Sequence, residues 1–311
     1  MDASSTHARP APKRPVFGAL CALGGAAMWG LSNPFCKRLL DRGVGALEAA
    51  GLLYGGAALG LAILLATRRA LGHPRGARVV RRDLRWILGA AGFGGAIAPC
   101  LMMYGQSHAS GLATALLIAV EPPATALIAV AMFGERLSRR LVVGGAFVLA
   151  GVMVVGLAPA DHGGAGTTAI GALAVATACA LWGLDSNLST RVSHLDPMFV
   201  AMMKGVLAAP VVLTVAGVLA GAPFWAHLTL SEIVQLLITG FIGYGVGIAL
   251  MVRAFRELGA ARVGALFSTT SLFAALGALV VLGERPDLTL LGAALLLGVG
   301  VLAIVTEKHV P

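Results

Sequence analysis

Apolar runs of about 20 residues divide this sequence, and each run is long enough for an α-helix to cross roughly 30 Å of hydrocarbon. Apolar residues make up 58% of the 311 residues and charged residues only 12%, whereas soluble globular chains carry about 25% charged residues. Water cannot be the main solvent of such a chain. The sequence therefore predicts an integral membrane protein.

The spacing of the runs predicts an all-α fold with ten transmembrane helices. The expected ranges are 16–38, 45–67, 86–107, 111–133, 141–158, 168–191, 198–220, 232–252, 261–282 and 288–306. The residues before them, 1–15, are rich in proline and polar side chains and are predicted to form a disordered tail. Residues 307–311 form a second short tail.

The chain contains an internal repeat. An apolar run, a Gly-Glu-Arg turn and a second apolar run in residues 111–155 recur in residues 261–304. A Trp-Gly-Leu triplet that begins at Trp29 recurs at Trp182. This self-similarity indicates one structural unit used twice.

Each unit holds five predicted helices, and an odd number places the second unit in the membrane in the opposite orientation. The predicted architecture is ten transmembrane helices as two inverted five-helix repeats, 16–158 and 168–306, joined by a linker at 159–167. Inverted repeats place a solute site near the middle of the bilayer, at the interface between the two units.

Lys and Arg residues are concentrated in the segments that would lie on one side of the membrane, above all in residues 68–85. Basic loops are retained on the cytoplasmic side, so both termini are predicted to be cytoplasmic and the protein to reside in the plasma membrane. Contact of residues 68–85 with anionic lipid headgroups is a second interpretation. The net charge of +9 does not indicate a nucleic-acid partner, because the basic residues are not gathered among stacking aromatic residues.

The paired motifs resemble the drug/metabolite transporter superfamily, specifically its EamA-type members. The resemblance extends over about residues 16 to 306. The residues that carry it are Trp29-Gly30, Trp182-Gly183, Gly134-Glu135-Arg136, Gly283-Glu284-Arg285, Gly144, Gly151, Gly292 and Gly300.

This resemblance implies a secondary active transporter that moves a small metabolite, an amino acid or a drug-like solute by alternating access. The helices after the two Gly-Glu-Arg turns would then serve as a scaffold or contact a second copy in a homodimer. The expected partners are the small-molecule solute and the lipid bilayer, with no cofactor and no metal. One departure is that Glu121-Pro122-Pro123 in the first repeat is replaced by Thr270-Ser271-Leu272 in the second.

Three ionisable side chains, Glu121, Asp185 and Lys204, are expected inside the spans, where each costs a few kcal/mol and indicates a functional site. Asp185 and Lys204 lie at equal depth on antiparallel neighbours, which favours an ion pair. This pair either fixes helix packing or leaves Lys204 free to extend toward Glu121. Glu121, beside a proline pair that interrupts the helix, is a candidate either for proton coupling or for direct electrostatic contact with the solute.

Polar and aromatic side chains near the midplane form a second candidate group. Trp29 and Trp182 lie too deep for an interfacial belt, so they either line the cavity or pack in the core. The hydrogen-bonding side chains that either orient a solute or hold helices together are Asn33, Tyr104, Asn187 and Tyr244. Glu135 and Glu284, at the helix ends, are predicted to act in turns and caps.

Two alternatives to a transporter are an enzyme and a channel. A membrane-embedded lipid-modifying enzyme would need a nucleophile with a base, or a metal-binding motif, within the spans. A channel-type passive facilitator would need a selectivity motif. The seven histidines lie mostly in tails and loops, and the four cysteines, with no C-x-x-C spacing, are interpreted as packing residues.

Overall fold

The computed structural model describes residues 15–73, 76–133, 139–157, 167–192, 194–258, 263 and 266–305, and every regular element in these ranges is helical. The expected terminal tails, most of the linker and the first Gly-Glu-Arg turn lie outside these residues. We number the helices α1 to α10 in chain order.

The helices of the first half are α1 (Pro15–Leu40), α2 (Ala46–Ala70), α3 (Arg81–Ser107), α4 (Gly111–Leu117, Ile118–Val120 and Glu121–Phe133) and α5 (Arg139–Leu157). Those of the second half are α6 (Ala169–Thr190), α7 (Pro197–Ala220), α8 (Leu230–Thr239, Gly240–Val246 and Gly247–Leu258), α9 (Thr270–Gly277 and Ala278–Leu282) and α10 (Leu288–Val305). Within the described residues, α1 to α4 and α6 to α8 supply seven helices long and apolar enough to cross a membrane. The other three contain shorter apolar stretches, Val142–Val155, Thr270–Leu282 and Leu288–Ala303.

The main helix contacts of the first half have counterparts in the second half. Helix α2 packs against α7, and α5 packs against α10. Helix α1 packs against α8 and α9, while α6, five positions later, packs against α3 and α4. Replacing each helix in these pairs by the one five positions away gives the same pairs.

The Trp-Gly pairs allow two of these crossings to be close. A Cβ on Gly30 of α1 would lie 2.6 Å from the carbonyl oxygen of Thr270 in α9. A Cβ on Gly183 of α6 would lie 2.8 Å from the backbone nitrogen of Thr125 in α4. Only glycine permits this backbone approach, so the repeated glycine sets the distance between α1 and α9 and between α6 and α4.

The third helix of each half contains a π-helical segment rich in glycine: Ala91–Ile97 in α3 and Gly240–Val246 in α8. Such a segment widens the helix by one residue per turn and is often found at functional sites. Both segments face the centre of the bundle, where Gly94 and Tyr244 are buried.

Two helices in the described residues extend five or more residues beyond the expected boundary. Helix α3 begins at Arg81 instead of residue 86, because Asp83 in its first turn accepts a hydrogen bond from the Val80 backbone nitrogen at 3.0 Å. Helix α8 continues to Leu258, beyond the expected residue 252. In both cases a polar helical turn extends an apolar span, which a search for apolar runs does not detect.

Candidate functional site

Aromatic rings from both halves meet at the centre of the protein. The ring centroids of Trp29 in α1 and Trp182 in α6 lie 5.1 Å apart in an edge-to-face arrangement. The Tyr244 ring of α8 lies 6.4 Å from each tryptophan, and Tyr54 of α2 lies 5.4 Å from Tyr244. All four residues are buried, and we call them the aromatic cluster.

The Gly94 carbonyl group anchors two members of this cluster. Its oxygen accepts hydrogen bonds from the Trp182 indole Nε1 at 3.0 Å and from the Tyr54 hydroxyl at 2.6 Å. Gly94 lies in the π-helical segment of α3, and a Cβ at this position would overlap the Asp185 carboxylate. A glycine is therefore required where α3 passes Asp185.

Asp185 and Lys204 form an ion pair beside the aromatic cluster. The Lys204 Nζ lies 2.6 Å from Oδ1 and 2.7 Å from Oδ2 of Asp185, and each side chain is 12% exposed. The Ser189 hydroxyl donates a further hydrogen bond to Asp185 Oδ1 at 3.1 Å. The ion pair expected from their equal depth is present, and Lys204 is directed toward Asp185 and not toward Glu121.

Glu121 begins the second part of α4, directly after the 3₁₀ turn Ile118–Val120. Pro122 has no N–H to donate to the Ile118 carbonyl, and the Glu121 backbone N–H donates to that carbonyl instead. The proline pair therefore tightens α4 without ending it. The Thr125 hydroxyl donates to the Glu121 carbonyl at 2.8 Å.

The Glu121 carboxylate makes no ion pair with any residue that the structure describes. Thr125 lies one helical turn after Glu121 on the same face of α4, and its backbone lies against Gly183 of α6, next to Trp182. Glu121 is therefore on the side of α4 that faces α6, and its carboxyl group has no cationic partner among the described residues.

The two candidate asparagines are engaged in helix contacts. Asn33 Nδ2 donates to the Trp29 carbonyl at 3.0 Å, and its Oδ1 accepts from Gln106 Nε2 at 2.7 Å. Asn187 Nδ2 donates to the carbonyl groups of Gly183 at 2.8 Å and Thr125 at 3.0 Å. These bonds join α1 to α3 and α6 to α4.

Tyr104 is the one candidate that the structure does not bring to the centre. Its side chain is 41% exposed, and its ring lies 4.4 Å from the His108 ring at the end of α3. The buried side chains next to Tyr104 on this part of α3 are Met102, Met103 and Gln106. Tyr104 points away from them, because the π-helical segment upstream changes which face of α3 is turned inward.

Three buried side-chain atoms in the described ranges have no hydrogen-bond partner: Tyr244 Oη, Gln106 Oε1 and Thr114 Oγ1. Buried polar groups are normally paired, so these atoms offer unused hydrogen-bonding capacity to a solute. No group of three or more metal-ligating side chains lies together in the searched part of the chain.

Sequence reasoning missed Tyr54, Gly94 and Lys37. Tyr54 is a single tyrosine in an apolar run, and Gly94 belongs to the Gly-Phe-Gly-Gly stretch of α3. Lys37 is 2% exposed and pairs with Asp41 one helical turn later. An acid four residues after a lysine was the available signal for this pair.

Glu284 caps a helix, as expected, but the capped helix is α4 and not one of the helices that adjoin Glu284 in the sequence. Its carboxylate accepts hydrogen bonds from the backbone nitrogens of Gly111 at 2.6 Å and Leu112 at 2.7 Å. These are unpaired N–H groups in the first turn of α4. The second Gly-Glu-Arg turn is thereby tied to the start of α4.

These features define an integral membrane protein of helical type with a polar and aromatic centre built from both halves. A family model described as the EamA-like transporter family matches residues 16–157 and 169–306. The chain belongs to this family, and the family resemblance stated from the paired motifs is confirmed.

Comparisons with known proteins agree with this assignment. The chain is 28% identical over 211 residues to an "Uncharacterized transporter" of Methanothermobacter thermautotrophicus, a match over 67% of this chain and 60% of that protein's length. It is 29% identical over 267 residues to a "Probable terminal-alkyne amino-acid exporter" of Streptantibioticus cattleyicolor, covering 78% of this chain and 82% of the other.

A solved structure titled "Crystal structure of protein" has the same fold. It aligns with a TM-score of 0.62 and 21% identity, over 93% of this chain and 98% of that chain. At this identity the likeness concerns the fold alone.

Proposed function

We propose that this protein is a secondary active transporter that moves a small solute across the plasma membrane by alternating access. The observation that carries this proposal is the convergence of Trp29 and Trp182 from equivalent positions of the two halves. Helix α4, which carries Glu121, packs against the helix of Trp182. A central site built from both halves becomes accessible from either side when the halves rock against each other.

The proposed architecture is ten spans in two inverted repeats, residues 16–158 and 168–306, joined at 159–167. The main helix contacts support it, because α2–α7, α5–α10, α1–α8 with α6–α3, and α1–α9 with α6–α4 correspond when the halves are exchanged. The two ends of α4 support it as well. Glu284 contacts the first residues of α4, whereas the helix ends at Phe133. The 22-residue apolar part of α4 is about 33 Å long, which matches the thickness of the bilayer core.

The proposed orientation has both termini in the cytoplasm. The distribution of Lys and Arg supports it, since residues 68–85 form the most basic connection of the chain. The homodimer remains a prediction from the family resemblance.

In this proposal Glu121 either couples transport to a proton or contacts a charged group of the solute. The Asp185–Lys204 pair holds α6 and α7 together and keeps Lys204 beside the aromatic cluster. Trp29, Trp182 and Tyr244 form the walls of the solute site, with Tyr244 Oη available as a hydrogen-bonding group. Asn33 and Asn187 fix the helices that carry the tryptophans.

Amino acids are the first solutes to test, because one relative carries the printed name of an amino-acid exporter. Small metabolites and drug-like compounds follow. Purified protein in lipid vesicles should take up or release a labelled solute with saturable kinetics, and an imposed pH gradient should change the rate in the proton-coupled version. The identifying experiment is a comparison of metabolites between cells with and without the protein, followed by uptake assays of the compound that changes.

Non-saturable flux that never exceeds the imposed solute gradient would contradict active transport and favour the channel alternative. Chemical conversion of a lipid by the vesicle preparation would favour the enzyme alternative. Uptake that saturates, accumulates solute against its gradient and disappears in empty vesicles would support the transporter.

A further inference from the structure

A basic pocket lies where α2 ends and α7 begins, away from the aromatic cluster. Its volume is about 390 Å³. Arg68 and Arg69, in the last turn of α2, and Arg78, in the segment before α3, supply its positive charge. Asp196 and Phe199 line it from the start of α7, so the two halves of the protein share this pocket.

The lining keeps an excess of positive charge. Arg68 Nη1 lies 3.7 Å from Asp196 Oδ2, a loose contact, and Asp196 Oδ1 is already engaged by the Met198 backbone nitrogen at 2.9 Å. Arg69 and Arg78 have no acid among the pocket's lining residues other than Asp196. Arginine guanidinium groups bind phosphate oxygens in pairs of parallel hydrogen bonds, so the pocket suits a phosphate group.

One wall of the pocket is apolar. Leu65 and Phe199 lie on the side of the transmembrane helices, and Val79 lies in the connecting segment. The apolar span of α2 ends at Ala70, so the pocket sits at the edge of the bilayer, where lipid phosphates lie. A free anion would make no use of the apolar wall, whereas a phospholipid presents its glycerol and acyl chains beside the phosphate. Basic pockets between transmembrane helices bind such headgroups.

The segment that carries Arg78 is held in place at both ends. The Val80 backbone nitrogen donates to Asp83 Oδ2 at 3.0 Å, which fixes the entry into α3. A Cβ on Gly76 would lie only 3.0 Å from the Asp196 Cβ, so the segment passes directly against the start of α7. The arginines are therefore presented by a defined backbone, which reduces the ordering cost of binding.

We propose that this pocket binds the phosphate group of an anionic membrane phospholipid. One bound lipid then connects α2 of the first half to α7 of the second. The site is separate from the solute site and does not depend on the identity of the solute.

Native mass spectrometry of the purified full-length protein in detergent tests this proposal, with phosphatidylglycerol and phosphatidylcholine added in parallel. We expect phosphatidylglycerol to bind at least tenfold more tightly. The Arg69→Gln/Arg78→Gln variant should lower that affinity by roughly 30-fold, because each substitution removes a charge-assisted hydrogen bond to the phosphate.

The matched control is Arg81→Gln/Arg82→Gln, which removes the same charge from the adjoining helix start without altering the lining. Its phosphatidylglycerol affinity should stay within about threefold of the unaltered protein, as expected when no direct charge-assisted bond is lost. If the double variant of the pocket does not fold, Arg78→Gln alone should still weaken binding about fivefold.

Two results would overturn the proposal. An equal loss in the pocket variant and the control would show that general surface charge, and not this pocket, attracts the lipid. Competition by inorganic phosphate at millimolar concentration, with no preference between the two lipids, would identify a site for free anions.

Discussion

Helices α4 and α9 occupy exchangeable places in the two halves, α4 against α6 and α9 against α1. Glu121 and Thr270 each begin a helical segment there. Thr270 is buried and satisfies its own hydroxyl, which donates to the Phe267 carbonyl at 2.6 Å. Glu121 has an ionisable carboxyl group without an ion-pair partner in the described residues. The two helices thus have equivalent packing partners, whereas only α4 carries a carboxyl group at this position.

A second difference separates the two central carboxylates. Asp185 is held by Lys204 and by Ser189, while the Glu121 carboxyl group has no ion-pair partner among the described residues. On this basis we propose that Asp185 stabilises the helix packing and that Glu121 is the group that responds to a proton or a solute.

The largest effect is expected from Lys204→Met, which leaves the Asp185 carboxylate buried without its cation. Breaking a buried ion pair from one side costs about 3–5 kcal/mol, so the variant should lose most of its thermal stability. The measurement is thermal unfolding of the purified protein. The control is Lys204→Met/Asp185→Asn, which should recover most of the loss. A fully stable single variant would show that the pair is not structural.

Glu121→Gln should lower solute transport at least tenfold, a change of about 1.4 kcal/mol in the transport barrier. Thermal stability should change little, because the carboxylate has no ion-pair partner in the described residues. Flux in vesicles, measured with and without a pH gradient, checks both effects. Unaltered flux would remove Glu121 from the proposed mechanism, whereas reduced flux that still responds to the pH gradient would favour solute contact over proton coupling.

Thr270→Val tests the other member of the comparison. The substitution keeps the shape of the side chain and removes one internal hydrogen bond, which is worth about 1 kcal/mol. Transport should continue at a rate within about twofold of the native protein, a barrier change of under 0.5 kcal/mol. A transport loss as large as that of Glu121→Gln would mean that the two positions share one role.

Tyr104→Phe should have the smallest effect, because the ring lies outside the aromatic cluster and is 41% exposed. Stability should change by under about 0.5 kcal/mol, as for most surface substitutions, and the solute concentration at half-maximal rate should be unaltered. Tyr244→Phe is its matched comparison at the centre. Equal effects of the two substitutions on solute affinity would contradict the placement of the site.

Much of the helical framework was predictable, because the thickness of a bilayer fixes the length of an apolar span. The Asp185–Lys204 pair was predictable for a similar reason. Residues at equal depth on antiparallel neighbours come into contact, and a charge in lipid needs a partner. The Trp-Gly motif was visible as a repeat, but its role in helix crossing required the positions of α4 and α9.

The composition of the centre was less predictable. The Gly94 carbonyl accepts two side-chain hydrogen bonds. Every residue has such a carbonyl group, so the sequence does not indicate which one accepts them. The inward face of α3 could not be derived from a 3.6-residue period, because the segment Ala91–Ile97 is π-helical. Tyr104 was for this reason expected at the centre. Tyr54, on α2, was missed because it is a single tyrosine in an apolar run.

In the proposed architecture the second five-helix unit is inverted in the membrane relative to the first. Arg139 and Leu288 are the first residues of α5 and α10 and occupy equivalent positions in the two units. Each can be replaced by cysteine in a variant that lacks the four native cysteines, and then labelled in intact cells with a membrane-impermeant thiol reagent. An inverted second unit predicts labelling at position 288 and protection at position 139 until the cells are opened. Labelling of both positions from the same side would contradict it.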